Sequence, residues 1–304
     1  MPVYINNTAS IQPASEPDYK GIITNANLRR RMSRIIKMGV ACGLECIGTT
    51  PPEDIHAIIT ATGLGCLSDT EKFINALIDN EEQMLNPTAF IQSTFNTIGA
   101  QIALLLQIHA YNMTYVHRGL SFESALLDGI MKIAEGNTHV LVGAMDELTD
   151  TSHIIQQRLG LLKGTTAGEG AQFFLLSSQK EEHTLAEITG METFINQASV
   201  QEITERIESF LKRHGLRAVD ITCFVNGKNG NKEQDDIYET LEQHLFSKSQ
   251  HQTFKEQCGE YQTASSFAVW KTTNALKKEK ADRYTFIYNH YQRINHSFIL
   301  MKSV

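Results

Sequence analysis

The stretch YNMTYVHRGLSFESALLDGIMKIAEGNTHVLVG, residues 111–143, places a strand, a helix and a second strand in direct succession. Residues 111–117 are of the types that favour a β-strand. The apolar positions of residues 121–135 recur at helical spacing, and His139–Gly143 is a short apolar run typical of a buried strand. A strand–helix–strand unit of this kind predicts a layered α/β domain.

The same alternation of strands and helices extends in both directions from this unit. Before it, a strand-like run over residues 55–62 ends at Gly63-Leu64-Gly65, where a sharp turn is predicted. After it, a turn-rich linker leads to a second, shorter series of strands and helices. We therefore predict two successive α/β halves, residues 1–178 and 179–304, which form one structural unit. Helices are predicted over residues 32–47, 70–80, 96–109, 121–135, 200–214, 234–245 and 264–276, and strands over 3–5, 55–62, 111–117, 139–143, 171–177, 185–196, 220–225, 284–288 and 296–302.

The composition is that of a globular protein and argues against several functional classes. The chain has 304 residues, an apolar content of 41% and a formal net charge of −7. A net acidic protein is poorly suited to general nucleic-acid binding. No apolar run approaches the roughly 20 residues that a membrane span needs, and the amino terminus lacks the pattern of a signal peptide. We expect a cytoplasmic protein with neither nucleic acid nor membrane as a partner.

The cysteine and histidine residues show no spacing typical of a metal site. Five cysteines occur, which is an odd number, and the histidines include no His-Glu-x-x-His helix. The pattern predicts reduced thiols in a cytosolic protein, with no metal and no cofactor.

Residues 63–147 resemble the amino-terminal half of a β-ketoacyl-acyl-carrier-protein synthase. The order of features is similar: a glycine turn, a proline-containing approach over residues 86–97 to an asparagine-bearing buried helix, then a strand, a tight turn and a second buried helix. Ala167–Ala171 resembles the family signature that closes the first half. The resemblance implies a thiolase-like α/β fold, in which two related halves form an αβαβα layered sandwich with the second half shortened.

The resemblance also implies a dimer. In that family the strand before the tight turn pairs with its counterpart in a partner subunit. The residues that correspond to this strand are Asn112, Met113, Thr114, Tyr115, Val116 and His117. Large side chains near the strand, Phe95, Tyr111 and Phe122, become candidates for the floor of an acyl tunnel.

The positions that carry the chemistry of such enzymes hold other residue types in this sequence. The family nucleophile is a cysteine whose thiolate accepts the acyl chain at the start of a helix, and that position falls on Gly119. The two histidines that stabilise the enolate correspond to Asn226 and Glu260, and a carboxylate opposes the build-up of negative charge. Residues 290–293 replace the glycine–aromatic turn that supplies an oxyanion donor. The resemblance therefore implies a catalytically degenerate subunit.

A cysteine-less member of this family is similar to the chain-length factors of type II polyketide and polyene systems, which complete a dimer with an active ketosynthase. The implied partners are an active ketosynthase, or a second copy of the chain, and an acyl carrier protein. Cationic residues near the amino terminus resemble the segment with which such synthases contact the carrier. These residues are Arg29, Arg30, Arg31 and Arg34.

Two other interpretations remain open from the sequence. One is an active acyltransferase or decarboxylase whose nucleophile has moved to Cys258 or Ser121. The other is a homodimeric scaffold that docks a carrier protein and has no effect on chain length.

Overall fold

The structure is a computed structural model that describes residues 2–280 and 282–304. Its strands are β1 (Val3–Ile11), β2 (Ile55–Ala61), β3 (Tyr111–Tyr115), β4 (His139–Asp146), β5 (Gly170–Ser177), β6 (Ala186–Ile195), β7 (Ile221–Asn226), β8 (Gln250–Thr253), β9 (Tyr284–Tyr291) and β10 (Asn295–Lys302). Its helices are α1 (Ala26–Arg31), α2 (Arg34–Ile47), α3 (Leu67–Asp79), α4 (Pro87–Gln92), α5 (Thr97–Leu106), α6 (Ser121–Ala134), α7 (Asp150–Arg158), α8 (Val200–Arg213), α9 (Lys232–His244), α10 (Lys255–Cys258) and α11 (Ser265–Leu276).

One continuous ten-stranded sheet runs through the chain in the order β3-β2-β4-β5-β1-β6-β10-β9-β7-β8. The five strands of each half follow the same order when each half is read inward from its outer edge. In each half the second strand is parallel to its two neighbours, β2 to β3 and β4, and β7 to β8 and β9. β1 and β6 join the halves as an antiparallel pair. The prediction of two related α/β halves is confirmed, and residue 178 lies in the connection between β5 and β6.

Three apolar cores define the layers. The inner core contains side chains of α6 and α11 together with inward-facing residues of strands from both halves. A second core lies between the first half of the sheet and α2 with α5, and a third lies between the second half and α8 with α9. This arrangement gives the expected αβαβα sandwich. The second half is shorter because α9 alone connects β7 to β8, whereas α3, α4 and α5 connect β2 to β3.

The predicted helices and strands are found, most of them with ends within a few residues of the predicted ones. The structure also contains elements that were not predicted, of which β8, α4 and α7 have local explanations. β1 extends to Ile11, well beyond the three residues predicted. β8 escaped prediction because its sequence, QHQT, is polar throughout. α4 begins at the Asn86-Pro87 start signal, and α7 begins at a capping box of Thr149 and Ser152. Among the helices the structure describes, none has the length and apolarity to cross a membrane.

The hairpin turn between β9 and β10 offers a stability test. Gln292 and Arg293 both adopt positive φ values, 56° and 55°, which side chains other than glycine disfavour. Gln292→Gly is expected to raise the free energy of unfolding by roughly 0.5–1 kcal/mol, as measured by urea denaturation. Arg293→Gly serves as the matched control, because Arg293 also donates to the Glu233 carbonyl oxygen at 2.7 Å. We expect Arg293→Gly to raise the free energy of unfolding by less than Gln292→Gly does. If Gln292→Gly destabilises the protein, the backbone at position 292 is not strained.

Candidate functional site

The connection from β3 to α6 is a tight elbow. β3 ends at Tyr115 and α6 begins at Ser121, with a single 3₁₀ turn over Arg118–Leu120 between them. Arg118 is exposed and has a φ of 52°, so the backbone is left-handed next to Gly119. Gly119, which the resemblance assigns to the family nucleophile, is buried. The predicted tight turn between strand and helix is thus present, and Gly119 lies within it.

The space where a side chain at position 119 would lie is already occupied. A Cβ atom added to Gly119 would come 2.5 Å from the Cβ and 2.6 Å from the Cγ of Tyr291. The Tyr291 hydroxyl group accepts a hydrogen bond from Gln262, whose side chain in turn packs against Gly63. A cysteine at position 119 therefore requires a displacement of Tyr291. The sequence could not reveal this contact, because 172 positions separate the two residues.

Asn226, which the resemblance assigns to the first family histidine, is fully buried at the end of β7. Its Nδ2 donates to Oε1 of Glu242 at 2.7 Å, and its Oδ1 accepts from the backbone N–H of Lys228 at 3.2 Å. Lys228 also pairs with Glu242, at 2.5 Å. Both polar atoms of the Asn226 side chain are thus engaged within the protein.

Glu260, which the resemblance assigns to the second family histidine, forms a buried ion pair. Its Oε2 lies 2.8 Å from Nζ of Lys255, and the two side chains are 6% and 1% exposed. The same oxygen accepts from Nδ2 of Asn229 at 2.7 Å, and Lys255 also donates to the carbonyl oxygen of His290 at 3.3 Å. The sequence indicates a repelling carboxylate here, whereas in the structure Lys255 balances its charge. Lys255 was not singled out from the sequence.

These positions surround the carboxyl end of β9. A Cβ atom on Gly227, next to Asn226, would meet Oδ1 of Asn289 at 2.5 Å and Cε of Lys255 at 3.4 Å. Lys255 also contacts His290, and Tyr291 covers Gly119. The structure therefore brings Gly119, Asn226 and Glu260, the three positions that the resemblance assigns, into one region.

A further buried carboxyl group, Glu123, lies one helical turn after Gly119. It is completely buried, and its Oε1 accepts from the Ser297 hydroxyl group at 2.8 Å. Burial raises the pKa of Glu123, although Ser265, Ser297 and Lys255 act in the opposite direction. An acidic residue four positions after Gly119 is the signal in the sequence that could have identified it. Lys255, Glu260 and Glu123 thus place one cation and two carboxyl groups in the buried interior of this region.

The two candidates for a relocated nucleophile have unfavourable surroundings. The Ser121 hydroxyl group is fully buried, accepts from the His117 backbone N–H and donates to the Arg118 carbonyl oxygen, so it holds the turn before α6. Cys258 is 5% exposed, and burial raises the pKa of its thiol to about 12. A thiol with such a pKa is almost entirely protonated at neutral pH and is a poor nucleophile.

The predicted dimer strand forms one outer edge of the sheet. Asn112 donates to the Gly99 carbonyl oxygen, and Thr114 bonds to Thr60, so these side chains hold β3 onto its own subunit. Met113 is 41% exposed. The strand ends at Tyr115, which corrects the prediction: Val116 and His117 already belong to the elbow, where His117 Nδ1 lies 2.9 Å from the Ser124 hydroxyl group.

Exposed apolar side chains are concentrated in one part of the sequence. Of the sixteen large apolar residues that are exposed in the described part of the chain, thirteen lie between residues 74 and 159, the segment that contains β3. They are Ile74, Ile78, Met84, Phe90, Ile91, Phe95, Leu104, Met113, Leu127, Met131, Ile154, Ile155 and Leu159.

The three tunnel candidates differ in their surroundings. Phe95 is 50% exposed, and its ring covers Gly65 at the end of β2, where an added Cβ would meet it at 2.6 Å. Tyr111 is half-buried, and its hydroxyl group donates to Asp128 at 3.1 Å. Phe122 is fully buried and packs against Phe174 in the inner core, so its ring lies away from any open surface. Of the three candidates, Phe95 has the largest free ring surface.

The arginines that resemble a carrier-docking segment do not act as one patch. Arg30 and Arg31 are exposed on α1, and Arg29 is half-buried and donates to the Ile23 carbonyl oxygen. Arg34 is held by ion pairs to Glu16 and Glu169, both at 2.8 Å. Arg30 and Arg31 are therefore the most accessible cations of this set.

A cleft of about 650 Å³ opens between the loops of the two halves, beside the Lys255–Glu260 pair. Its walls include Gly168, Asn229 and Cys258. Across residues 2–280 and 282–304, no group of three or more histidine, cysteine, aspartate or glutamate side chains has the arrangement of a metal site.

Comparison with known proteins places these features in context. The family model described as beta-ketoacyl synthase, N-terminal domain, matches residues 7–214. The ishigamide ketosynthase/chain length factor superposes with a TM-score of 0.86 at 14% identity, covering 100% of both chains. No curated protein matched in a sequence search.

Two further solved structures share the fold. The structure of a ketosynthase (ApeO) in complex with its chain length factor (ApeC) from Xenorhabdus doucetiae gives a TM-score of 0.79 at 12% identity, covering 100% of this chain and 98% of the other. A beta-ketoacyl synthase from Burkholderia phymatum STM815 gives 0.76 at 14% identity, with coverages of 100% and 99%. These low identities establish the shared fold.

Proposed function

We propose that this chain, which belongs to the β-ketoacyl synthase family, is a non-catalytic subunit that pairs with an active ketosynthase and shapes its acyl-binding tunnel. The observation that carries the proposal is the contact between Gly119 and Tyr291. The position of the nucleophile lacks a side chain, and an aromatic ring fills the space that one would need. Such a subunit can complete a site but has no thiol on which to load an acyl chain.

The partner-facing surface supports the second part of the proposal. β3 is an edge strand with unpaired backbone groups along one side, and the segment that contains it, residues 74–159, holds thirteen of the sixteen exposed large apolar residues in the described part of the chain. Pairing of β3 with the corresponding strand of a ketosynthase would continue the sheet into the partner and cover this apolar surface. The geometry therefore fits a chain-length-factor role in polyketide, polyene or fatty acid synthesis.

The role of Phe95 in this scheme is to limit the length of the acyl chain. Phe95 is 50% exposed in the single chain and belongs to the same segment, residues 74–159, as β3. Phe95→Ala is expected to shift the product distribution of the complex toward longer chains, because removal of the ring lengthens the apolar space. Phe90→Ala, another exposed phenylalanine in the same segment, is the matched control. Identical product profiles for wild type and Phe95→Ala, measured by mass spectrometry, would show that Phe95 does not line the tunnel.

An acyl carrier protein is the second proposed partner. The exposed guanidinium groups of Arg30 and Arg31 lie on a chain whose formal net charge is −7, so they form a local cationic site suited to an acidic carrier. Arg34 contributes less, since Glu16 and Glu169 already bind it.

The test of the proposed function is co-expression with a ketosynthase encoded beside this chain. A one-to-one complex in size-exclusion chromatography with light scattering, active only with both subunits, is the expected result. A stable homodimer that ignores the ketosynthase and leaves the products unchanged would favour the scaffold interpretation. A stable acyl adduct on this chain, detected by intact-mass spectrometry after incubation with acyl thioesters, would favour a relocated nucleophile.

Restoring the cysteine alone is expected to fail. Gly119→Cys would force its Cβ against Tyr291, at a cost of about 1–3 kcal/mol of unfolding free energy. We expect no acyl adduct on this variant when the complex is incubated with acyl-coenzyme A. The double variant Gly119→Cys/Tyr291→Gly regains the space, so it should be no less stable than Tyr291→Gly alone. If Gly119→Cys is as stable as wild type, the space beside Gly119 is open, and Tyr291 does not block a side chain there.

A further inference from the structure

Two buried histidines hold the hairpin turn between β9 and β10. His290 and His296 are 1% and 0% exposed, and they lie opposite each other in the antiparallel pairing of the two strands. Their ring centroids are 5.8 Å apart. Each ring also stacks on an aromatic side chain of a neighbouring element, His290 on Tyr238 of α9 and His296 on Phe194 of β6. Packing thus fixes the orientation of both rings.

The hydrogen bonds of the His290 ring fit its neutral form. Its Nε2 lies 2.9 Å from the carbonyl oxygen of Gln234, which can only accept, so Nε2 carries a hydrogen. Its Nδ1 accepts from the backbone N–H of Arg293 at 3.4 Å, and this bond requires a ring nitrogen without a hydrogen. A second proton on the ring would place two donors against each other.

The His296 ring has the same constraint. Its Nε2 lies 3.1 Å from the carbonyl oxygen of Asn196 and 3.2 Å from that of Arg293, so it too carries a hydrogen. Its Nδ1 accepts from the Tyr288 hydroxyl group at 2.9 Å. Burial raises the pKa of that hydroxyl group well above its ordinary value, so it remains a donor. Protonation of Nδ1 would leave the hydroxyl hydrogen without its acceptor in a buried position.

Cationic side chains lie near the two rings. Lys255 of α10 donates to the carbonyl oxygen of His290 at 3.3 Å, and Arg293 is part of the turn itself. Arg206 of α8 lies 4.2 Å from the centre of the aromatic ring that stacks on His296. Burial first, and then the charge of Lys255, lowers the pKa of His290 well below its ordinary value. Burial, followed by the charges of Arg293 and Arg206, lowers the pKa of His296 as well.

The carboxylates of this region bind other groups than the histidine rings. Glu260, Asp236 and Glu192 pair with the three cations, in the order Lys255, Arg293 and Arg206. Asp235 of α9 accepts from the backbone N–H groups of residues 229 and 230. The two tyrosines that contact the rings stay neutral, because burial raises the pKa of both hydroxyl groups. A proton on either histidine would therefore add a positive charge where the carboxylates are already paired.

We propose that the turn between β9 and β10 is a pH-sensitive latch, closed while His290 and His296 are neutral and released when either ring gains a proton. The rings bind the turn from both sides: His290 accepts from the N–H of Arg293, and His296 donates to its carbonyl oxygen. The turn depends on these bonds, because its two central residues both have positive φ values. Tyr291, which covers Gly119, begins the same turn and moves with it. This inference does not depend on the identity of the partner subunit.

The test is urea unfolding of the full chain at pH values from 5 to 8. Both histidines have a lower pKa in the folded state than the ordinary 6.5, so the unfolded state binds their protons first. Stability is therefore full above about pH 6.5 and falls as the pH drops below it. The unfolding equilibrium constant is expected to rise by up to about tenfold per pH unit for each histidine. His290→Gln and His296→Gln, which keep a donor for the carbonyl partners, should each remove one such component.

His109→Gln, at an exposed histidine, is the matched control and should leave the pH profile unchanged. An NMR titration of the histidine Cε1–H signals in wild type gives a second readout, which requires no variant to fold. The signals of His290 and His296 should keep their neutral-form shifts down to the pH of acid unfolding. Hydrogen exchange should show that the Arg293 amide loses protection at a higher pH than the rest of the sheet. The proposal is overturned if both signals titrate near pH 6.5, or if both glutamine variants keep the wild-type slope.

Discussion

Lys255→Met is expected to destabilise the protein by about 3–5 kcal/mol. Lys255 and Glu260 are 1% and 6% exposed and lie 2.8 Å apart, so removal of the ammonium group leaves a carboxylate buried without its counter-charge. The loss also frees the His290 carbonyl oxygen, which accepts from Lys255. Urea unfolding at pH 7 measures the change directly.

Two further variants separate loss of charge balance from loss of packing. Lys255→Met/Glu260→Gln removes both charges and keeps an acceptor for Asn229, so most of the lost stability should return. Lys228→Met breaks the more exposed pair with Glu242 and should cost about 1 kcal/mol or less. If Lys255→Met costs no more than Lys228→Met, the buried pair does not stabilise this region as argued.

Met113→Asp is expected to weaken association with the partner subunit by 100-fold or more. Met113 is at the middle of β3 and is 41% exposed in the single chain, so a carboxylate there is hydrated before association and buried without a counter-ion after it. The fold of the single chain should survive, because the side chain lies outside its core. Dissociation constants from analytical ultracentrifugation of the complex give the measurement.

The opposite edge of the sheet provides the control for Met113→Asp. Gln250 begins β8 and is exposed, so Gln250→Asp introduces the same charge at an edge strand that we do not place at the interface. Its dissociation constant should equal that of wild type. Equal weakening by both variants, or none by Met113→Asp, would show that β3 is not the pairing strand.

The sequence was sufficient for the layered fold because each half repeats strands and helices with clear apolar periodicity. It also placed Gly119 at the elbow, since the strand and helix on either side are adjacent in the chain. The filling of that position by Tyr291 depends on a contact between the two halves, which local patterns do not encode. The pairing of Lys255 with Glu260 required knowledge of burial: both residues stand in a polar segment that gives no sign of being enclosed.

Positions near the elbow also include features that the sequence could not predict. β3 ends two residues before its predicted end, because Val116 and His117 turn into the elbow. Phe122 was assigned to a tunnel on its size, but it follows the elbow on the inner side of α6 and packs against Phe174. Arg34 was grouped with its neighbours in sequence, although the carboxylate of Glu169, far away in the chain, binds it.

The matching strand order of the halves makes β3 and β8 equivalent by internal symmetry, yet the two edges have opposite surface chemistry. In the proposed assembly through β3, this chain leaves outward only the edge formed by QHQT, a short polar strand. That edge offers few groups for further pairing, so the sheet does not propagate into a fibre from this side.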